Sequence, residues 1–496
     1  MLFLATAILS ASIHFAGAVD VPVVPGVAVT APGEPGGPPL AEPAAPPRGD
    51  EPATVDTTPG LEQVAVCRAL ATAEPSTTTG ALPSTAAPDL TVPACLAELE
   101  GASSPALTAL GDSFDPVGDD ASRLSAVLTA GADAPTTAAW WAGLDDSRRL
   151  GLVAAVPGVV GQLEGVPYSV RDQANRLFLG AATLALHDRD ETAAEQDGDD
   201  ARSAMLGQVQ LALADRSAGD EDRQLIALDT VMPGRAAVSV GSLDTADDVS
   251  VLVPGMFFTV HGQMVDWAET AGQLHDEQRA WTYLLARSDA RPLDSVAVVA
   301  WMGYRTPDLT NVYTLDLARQ GAGHLEDALS GLDAARASDA PRVTVVAHSY
   351  GSTTATLALS SGRVSVDSLA LLGSPGSVVP TAAMLSVADH DVYAAAGSFD
   401  PVAGSGFFGV DPGTGAFGAV LLHTGGGDDT VTGRALRAAL GHNDYLLPGT
   451  ESMRSLALIA LGHGDMVDGD ERGPGEPRPD GPELALVRPQ DVYLRD

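Results

Sequence analysis

The sequence predicts an α/β fold with a mostly parallel, doubly wound sheet over residues 236–465, following a helical region over 100–235. Within 236–465, short Val- and Ala-rich runs alternate with helical patterns. These runs are apolar on both faces, as expected for strands that helices cover on both sides. Strand–helix alternation on this scale is typical of parallel strands joined by crossover helices.

Seven runs are predicted strands, the last of them the weakest. They are 236–240, 248–253, 295–302, 342–347, 368–373, 391–397 and 418–423. Helical patterns such as TYLLARS, LDLARQGAGHLEDALSGLDAARA and STTATLALSS separate them. The helical pattern SMRSLALIALGH at 452–463 is predicted to close the domain.

The segments on either side of this domain differ in composition. In the helical region, DASRLSAVLTAGA and SVRDQANRLFLGAATLALHD place apolar residues three and four positions apart. Residues 20–99 are dense in Pro, Ala, Gly and Thr, which predicts a disordered linker, with one short helix near 60–70. The acidic, Pro-rich tail at 466–496 is expected to be loose.

The N-terminal segment indicates export from the cytoplasm. Residues 1–19 contain an apolar run that ends in small residues and resembles a signal peptide, although no basic residue precedes the run. This pattern favours a secreted or cell-envelope protein over a cytoplasmic one. Cys67 and Cys95 would then be able to pair, whereas both would remain thiols in a cytosolic protein.

Charge and composition exclude several classes of function. The net charge is −38 and the pI is about 4.3, so the surface repels phosphate backbones and no nucleic acid partner is expected. Beyond residue 30 no apolar stretch is long enough for a membrane span, so no integral membrane domain is expected. Neither cysteine has metal-ligand spacing, and no metal or cofactor is implied. The oligomeric state is left open.

The string AHSYG at 347–351 carries the strongest chemical signal, because a predicted strand runs into it and a small-residue helix follows. It matches the G-x-S-x-G nucleophile elbow with Ala347 in place of the first glycine. The sharp turn needs small residues two positions before and after the serine, a condition that Ala347 and Gly351 meet. Ser349 is therefore the predicted nucleophile; the alternative is an ordinary turn with serine as a helix cap.

A serine nucleophile needs a base and an acid that orients the base. In the α/β-hydrolase fold the chain order is serine, acid, histidine. Asp400 follows strand 391–397 at the correct end of the sheet, and Asp411 is the best substitute. His442 lies in the loop before the last helix, as the base should. His348, beside the nucleophile, is expected to be directed away from the hydroxyl. The alternatives are an Asx-turn for Asp400 and an exposed loop histidine for His442.

Two backbone N–H groups are candidates for an oxyanion hole. One is that of Tyr350, at the start of the helix after the nucleophile. The other follows Gly255 in VLVPGMFF and belongs to Met256 or to Phe257, although a plain glycine turn is equally consistent. Phe257 and Tyr304 lie at strand ends on the same edge, where they would line a substrate pocket or belong to the core.

Several motifs resemble the α/β-hydrolase family of high-GC Gram-positive bacteria long catalogued as a domain of unknown function. The resemblance covers roughly 140–465 and rests on DTADDVSVLVPGM, VAWMGYRTP, VTVVAHSYGSTT, LALLGSPG, GSFDPV and GHNDYL. The upstream stretch VPYSVRDQAN is similar to the end of the family's helical preamble. The resemblance implies Ser349, Asp400 and His442 as the triad, in agreement with the chain order, and it supplies no substrate.

These observations predict a serine esterase that acts on a small-molecule ester or acyl substrate. An acyltransferase would use the same residues with an alcohol or amine in place of water. The alternative from another class is a non-catalytic envelope protein of the same fold that binds a partner through its helical region. A complete triad argues against that alternative, because a binding protein does not need all three side chains.

Overall fold

The central element of the structure is an eight-stranded sheet. The structure is a computed structural model that describes residues 60–72, 91–187, 193–214, 221–289 and 292–467. The strands are β1 (Arg223–Asp229), β2 (Arg235–Val240), β3 (Asp248–Val253), β4 (Val296–Met302), β5 (Arg342–His348), β6 (Ser368–Leu372), β7 (Val392–Ala395) and β8 (Val420–Leu422). Their order is β1-β2-β4-β3-β5-β6-β7-β8. Only β2 runs antiparallel to the others in this sheet. The predicted mostly parallel α/β sheet is therefore confirmed.

Two short strands, β9 (Gly427–Asp428) and β10 (Ala435–Leu436), form a separate hairpin. Helices cover both faces of the main sheet. They are α8 (Tyr168–His187), α9 (Ala193–Ala212), α10 (Val260–Asp289), α11 (Asp316–Ala335), α12 (Tyr350–Ser360) and α13 (Glu451–Ala460). Buried side chains of α9, α10 and α13 share one apolar core with one face. Those of α11 and α12 pack on the other face.

Within the described residues, seven shorter α-helices precede α8 and have a core of their own. They are α1 (Ala65–Thr72), α2 (Val92–Gly101), α3 (Ser104–Asp112), α4 (Asp120–Gly131), α5 (Ala134–Gly143), α6 (Asp146–Ala155) and α7 (Pro157–Val160). Their buried leucines and valines form a third apolar cluster, which includes Ala174 of α8. Since Phe178 and Ala182 of the same helix belong to a sheet core, α8 connects the two parts.

The polar side chains of α8 bond the free edge of β1. Leu225 is the bonded strand residue: its N–H donates to Asp172 Oδ1 at 2.6 Å, and its carbonyl accepts from Asn175 Nδ2 at 2.9 Å. Arg176 donates to the carbonyl of Arg223 at 2.5 Å. An exposed edge strand offers unpaired backbone groups to other chains, and here one helix satisfies three of them.

Two sequence boundaries need correction. The predicted linker at 20–99 contains α1 and most of α2, because Val64, Leu70 and Leu96 are buried in the helical core. The apolar segments of these helices are short, and the Pro- and Thr-rich stretches around them make the whole region resemble a linker in composition. Cys67 and Cys95 lie in these helices and form a disulfide, so both belong to the folded part and not to a disordered linker.

The helical region predicted at 100–235 ends too late, because it includes β1. RQLIALD lacks the strict alternation of an exposed strand, since it is covered by helices and bonded along its edge by α8. The possible signal peptide at 1–19, the linker at 20–59 and 73–90, and the tail beyond 467 lie outside the described residues. Within the described ranges, no helix has the length and apolar character to cross a bilayer.

Candidate active site

The turn between β5 and α12 holds Ser349 in a strained backbone conformation, with φ 56° and ψ −130°. Strain of this kind is retained where a site needs one side chain in a fixed position. The Ser349 N–H donates to the carbonyl of Leu372 at 2.8 Å. A Cβ at Gly351 would lie 2.5 Å from the carbonyl oxygen of Pro254, so this position requires glycine. Tyr350 begins the helix, where backbone N–H groups have no partner within the helix.

His442 lies between Ser349 and Asp400 and contacts both. Its Nε2 is 2.9 Å from Ser349 Oγ, and its Nδ1 is 2.9 Å and 3.0 Å from the two carboxylate oxygens of Asp400. All three residues are buried, with relative exposures of 4–6%. The structure therefore brings together the three residues that were predicted from chain order.

The environment of Asp400 favours its ionised form. Its Oδ1 accepts hydrogen bonds from the N–H groups of Val402 at 2.8 Å and Ala403 at 3.1 Å. Its Oδ2 accepts from the hydroxyl of Tyr445 at 2.6 Å. Burial by itself raises the pKa of Asp400, but the interaction with His442 and these hydrogen bonds hold the pKa well below its usual range. An ionised carboxylate only accepts hydrogen bonds, so Nδ1 of His442 donates to Asp400, and Nε2 is the ring nitrogen that faces Ser349 Oγ.

Two residues that lie against the triad, Tyr445 and Gly373, were not predicted. Tyr445 contacts the acid as described, and its hydroxyl also accepts the N–H of Gly397 at 2.7 Å. Gly373, with φ 57°, lies so near the triad that a Cβ there would be 2.8 Å from Asp400 Oδ2 and 2.9 Å from His442 Nδ1. Both lie in motifs that carry the family resemblance, GHNDYL and LALLGSPG, and those motifs were the signal available.

His348 contacts the backbone of the base and not the nucleophile. Its Nε2–H donates to the carbonyl oxygen of His442 at 2.7 Å, and the two rings are 4.7 Å apart. Burial, with a smaller contribution from His442, lowers the pKa of His348 to about 3. His348 is therefore neutral near pH 7 and holds the loop that carries the base.

The substitute acid and one further histidine of this domain, His423, are engaged in other contacts. Asp411, the substitute acid, accepts the N–H of Gly413 at 2.8 Å within its own turn. His423 pairs with Glu451 at 2.6 Å. Asp400 and His442 are therefore the acid and base that the geometry supports.

The loop after β3 lies directly against the nucleophile. A Cβ at Gly255 would be 2.6 Å from Ser349 Cβ and 3.0 Å from Oγ, so only glycine allows this approach. The N–H of Phe257 donates to the carbonyl of Pro307 at 3.0 Å and is therefore occupied. Of the two donors considered for this loop, Met256 is the better candidate.

The predicted substrate-binding residues, Phe257 and Tyr304, line one cavity beside this loop. Tyr304 stacks on Trp301, with ring centroids 5.8 Å apart, and its hydroxyl donates to the carbonyl of Pro254 at 2.6 Å. Burial raises the pKa of Tyr304 above its usual range. Tyr304 therefore supports the loop as well as lining the cavity. Among the described residues, no group of three or more His, Cys, Asp or Glu side chains is placed to hold a metal ion.

A family model and several known proteins match parts of this chain. A family model described as alpha/beta hydrolase matches residues 229–409. The uncharacterized protein Rv0963c of Mycobacterium tuberculosis is 36% identical over 200 residues, which cover 39% of this chain and 71% of that protein. The uncharacterized protein Rv2079 of the same organism is 30% identical over 389 residues, which cover 68% of this chain. This chain spans 57% of the length of Rv2079.

Solved structures with low sequence identity are also similar. A Pyrobaculum calidifontis esterase is 12% identical and matches over 57% of this chain and 97% of its own, with a TM-score of 0.28. A structure described as an arylesterase is 10% identical and matches over 59% of this chain and 98% of its own, with a TM-score of 0.29.

Proposed function

This chain belongs to the α/β-hydrolase family, and on that premise we propose that it is a serine hydrolase that cleaves carboxylic esters through an acyl-enzyme. One observation carries the proposal: His442 bridges Ser349 Oγ and the Asp400 carboxylate, with all three side chains buried. A hydroxyl is a weak nucleophile until a base removes its proton, and the geometry supports that role for His442.

In the first half of the reaction, Nε2 of His442 takes the proton of Ser349 Oγ while the oxygen attacks the ester carbonyl. The carbonyl oxygen becomes an oxyanion, for which the N–H groups of Tyr350 and Met256 are the proposed donors. When the tetrahedral intermediate collapses, the C–O bond to the alcohol breaks. The imidazolium then returns its proton to the leaving alcohol, and the acyl group remains on the serine.

In the second half, His442 removes a proton from water, and the hydroxide attacks the acyl-enzyme. Collapse of this intermediate releases the acid and restores the proton to Ser349. During both steps Asp400 accepts the Nδ1–H of His442 and stabilises the imidazolium without taking its proton. The hydrogen bonds from Val402 and Ala403 support this role, because they favour the ionised carboxylate.

We also propose that the protein is secreted or attached to the cell envelope. The Cys67–Cys95 disulfide supports export, because such bonds persist in oxidising compartments. Fractionation of the source cells with a maleimide probe tests this. An exported protein stays unlabelled until it is reduced, whereas a reduced protein in the cytoplasmic fraction would contradict the proposal.

A fluorophosphonate probe and a panel of p-nitrophenyl esters test the proposed activity. We expect wild-type protein to be labelled and to release p-nitrophenol, and Ser349→Ala to do neither. Asp400→Asn should lower kcat by about 10⁴-fold, because the amide stabilises the wrong imidazole tautomer. Absence of labelling in correctly folded wild-type protein would refute the proposal and favour a non-catalytic binding protein. Transfer of the acyl group to an added alcohol in preference to water would identify an acyltransferase.

A further inference from the structure

A cavity of about 190 Å³ lies at the carboxyl edge of the sheet, on the β2–β4 side. Three segments form its walls: the β1–β2 turn, the loop after β3 and the loop after β4. The turn belongs to this edge because Ala236, at the start of β2, pairs with Met302, at the end of β4. Apolar and polar side chains are mixed in the walls: Phe257 and Phe258 line the cavity together with Thr306, Arg305 and Asp308.

The cavity begins close to the nucleophile. Gly255 lies against Ser349, and Phe257, two residues further along, is a cavity wall. Two residues of extended chain span at most about 7 Å. The cavity wall at Phe257 therefore lies within about 7 Å of the residue that contacts Ser349, a distance that an acyl chain of several carbons can span.

Hydrogen bonds between the loops make the cavity preformed. The Thr306 hydroxyl donates to the carbonyl of Phe258 at 2.6 Å, and the Phe257 N–H donates to Pro307. Phe257 has φ 66°, a conformation that a non-glycine residue keeps only where its surroundings fix it. Ligand sites of enzymes are usually preformed in this way.

The sheet order indicates which part of an ester occupies the cavity. His442 protonates the leaving alcohol and later activates water, so both lie between Ser349 and His442. His442 belongs to the loop that follows β8, on one side of β5, whereas the cavity lies beside β2 and β4 on the other side. The alcohol and the cavity are therefore on opposite sides of the nucleophile, which leaves the cavity for the acyl group.

We propose that this cavity is the acyl-binding site and that it accepts a compact acyl group of about six to eight non-hydrogen atoms. This inference rests on the proposed esterase function and extends it to the substrate class. The size follows from volume, because an engineered apolar cavity of about 150 Å³ binds benzene. Hexanoyl or aromatic acyl groups fit this space, whereas most of a palmitoyl chain would remain outside it.

The test compares kcat/KM for p-nitrophenyl acetate, butyrate, hexanoate, octanoate and palmitate. Wild-type protein should prefer hexanoate to acetate by about tenfold or more, because one methylene in an apolar pocket changes the rate by about 10-fold or more. Thr306→Met fills the cavity and should lower the hexanoate-to-acetate ratio by about tenfold. Thr306→Val, which removes the same hydrogen bond without adding length, should keep the wild-type ratio.

A second pair of variants enlarges the site. Phe257→Ala removes a wall and should move the preferred chain length towards octanoate. Phe399→Ala removes an exposed aromatic ring near the His442 loop, where the Phe399 N–H donates to Leu440, and should leave the preferred chain length unchanged. If Ser349 is labelled by fluorophosphonate but both cavity variants keep the wild-type chain-length profile, the acyl-site inference is wrong and the esterase proposal stands. If wild-type Ser349 is not labelled, the proposed function itself fails. Should Thr306→Met not fold, Phe257→Ala decides alone.

Discussion

The Nε2–H of His348 donates a hydrogen bond to the backbone carbonyl of His442 at 2.7 Å, so the residue before the nucleophile holds the loop of the base. Replacing His348 tests this positioning role. His348→Leu should lower kcat about tenfold with little change in KM, because the base would lose its fixed position while the acyl site is untouched. His348→Gln keeps an N–H donor and should retain more activity. Equal losses in the two variants would contradict a positioning role.

The same histidine predicts how stability depends on pH. Its pKa is about 3 in the folded protein against an ordinary value of 6.5, so between these values the unfolded chain binds more protons. Stability is therefore fully present above about pH 6.5 and falls as pH drops towards 3, by at most about 1.4 kcal/mol per pH unit. The pKa of Asp400 is also lowered in the folded protein, so this residue causes a further loss of stability as the pH falls below 3.8, its ordinary pKa.

Urea unfolding between pH 4 and pH 8 measures this dependence. The groups that face His348 are His442, Asp400 and Tyr445, and all of them remain in His348→Gln. That variant should show a shallower loss of stability on acidification than wild-type protein. Identical slopes would show that His348 does not titrate in this range.

Tyr445→Phe removes the hydroxyl that donates to Asp400 Oδ2 at 2.6 Å. We expect kcat/KM to fall about tenfold, since a hydrogen bond to a charged group contributes about 1.5–3 kcal/mol and part of this orients the acid. Tyr393→Phe is the matched control, because Tyr393 donates to Asp391 at 2.5 Å at the opposite end of β7. A comparable loss in the control would indicate general destabilisation and not a role at the site.

Gly373→Ala places a methyl group between the acid and the base. The new Cβ would lie under 3 Å from both Asp400 Oδ2 and His442 Nδ1, so the pair must separate. Esterase activity should fall by more than about 100-fold, because misplacement by about 1 Å costs about that much. Gly362→Ala is the control: it has a similar positive φ of 75° but nothing within 4 Å of the added atom. Urea unfolding measures the backbone strain, which should lower the stability of both variants. Only Gly373→Ala should also lose activity, because only Gly373 lies against the triad.

Asn175→Ala breaks the contact between the helical region and the edge strand. The Asn175 amide donates to the carbonyls of Gly161 and Leu225, both in buried positions. Leaving these carbonyls without a donor should lower the free energy of unfolding by about 1–3 kcal/mol. Gln210→Ala removes an exposed hydrogen bond to Thr183 and should change stability by no more than about 0.5 kcal/mol. Equal effects would show that α8 does not stabilise the sheet edge.

The sequence predicted the triad because each member belongs to a fixed place in the chain order of this fold. Ser349 follows a strongly apolar strand, and Asp400 and His442 follow later strands, so the carboxyl ends of parallel strands bring them to one edge. The sheet was predicted for the same reason, since its central strands are apolar on both faces.

The remaining features depend on contacts that no local pattern records. Tyr445 lies in a motif of the family resemblance, but its contact with Asp400 joins residues 45 positions apart. From the sequence, Gly373 is an ordinary turn glycine, and its contact with the triad becomes visible only when the position of His442 is known. β1 was missed because its edge is bonded by α8, a helix that lies about 50 residues earlier in the chain. A short helix was predicted near 60–70, where α1 lies, but its packing was missed, and so was α2. The few apolar residues of these two helices need each other's surface to be buried.

The hydrogen bonds from α8 to the edge of β1 have a practical consequence for recombinant expression. A truncated protein limited to the 229–409 span of the family model would lose nearly all of β1 and all of α8, together with His442. Its β2 would become a bare edge that recruits other chains, so such a fragment should aggregate as well as lack activity. We therefore expect soluble expression to require the upstream helices, because α8 covers the edge of the sheet and prevents self-association through it.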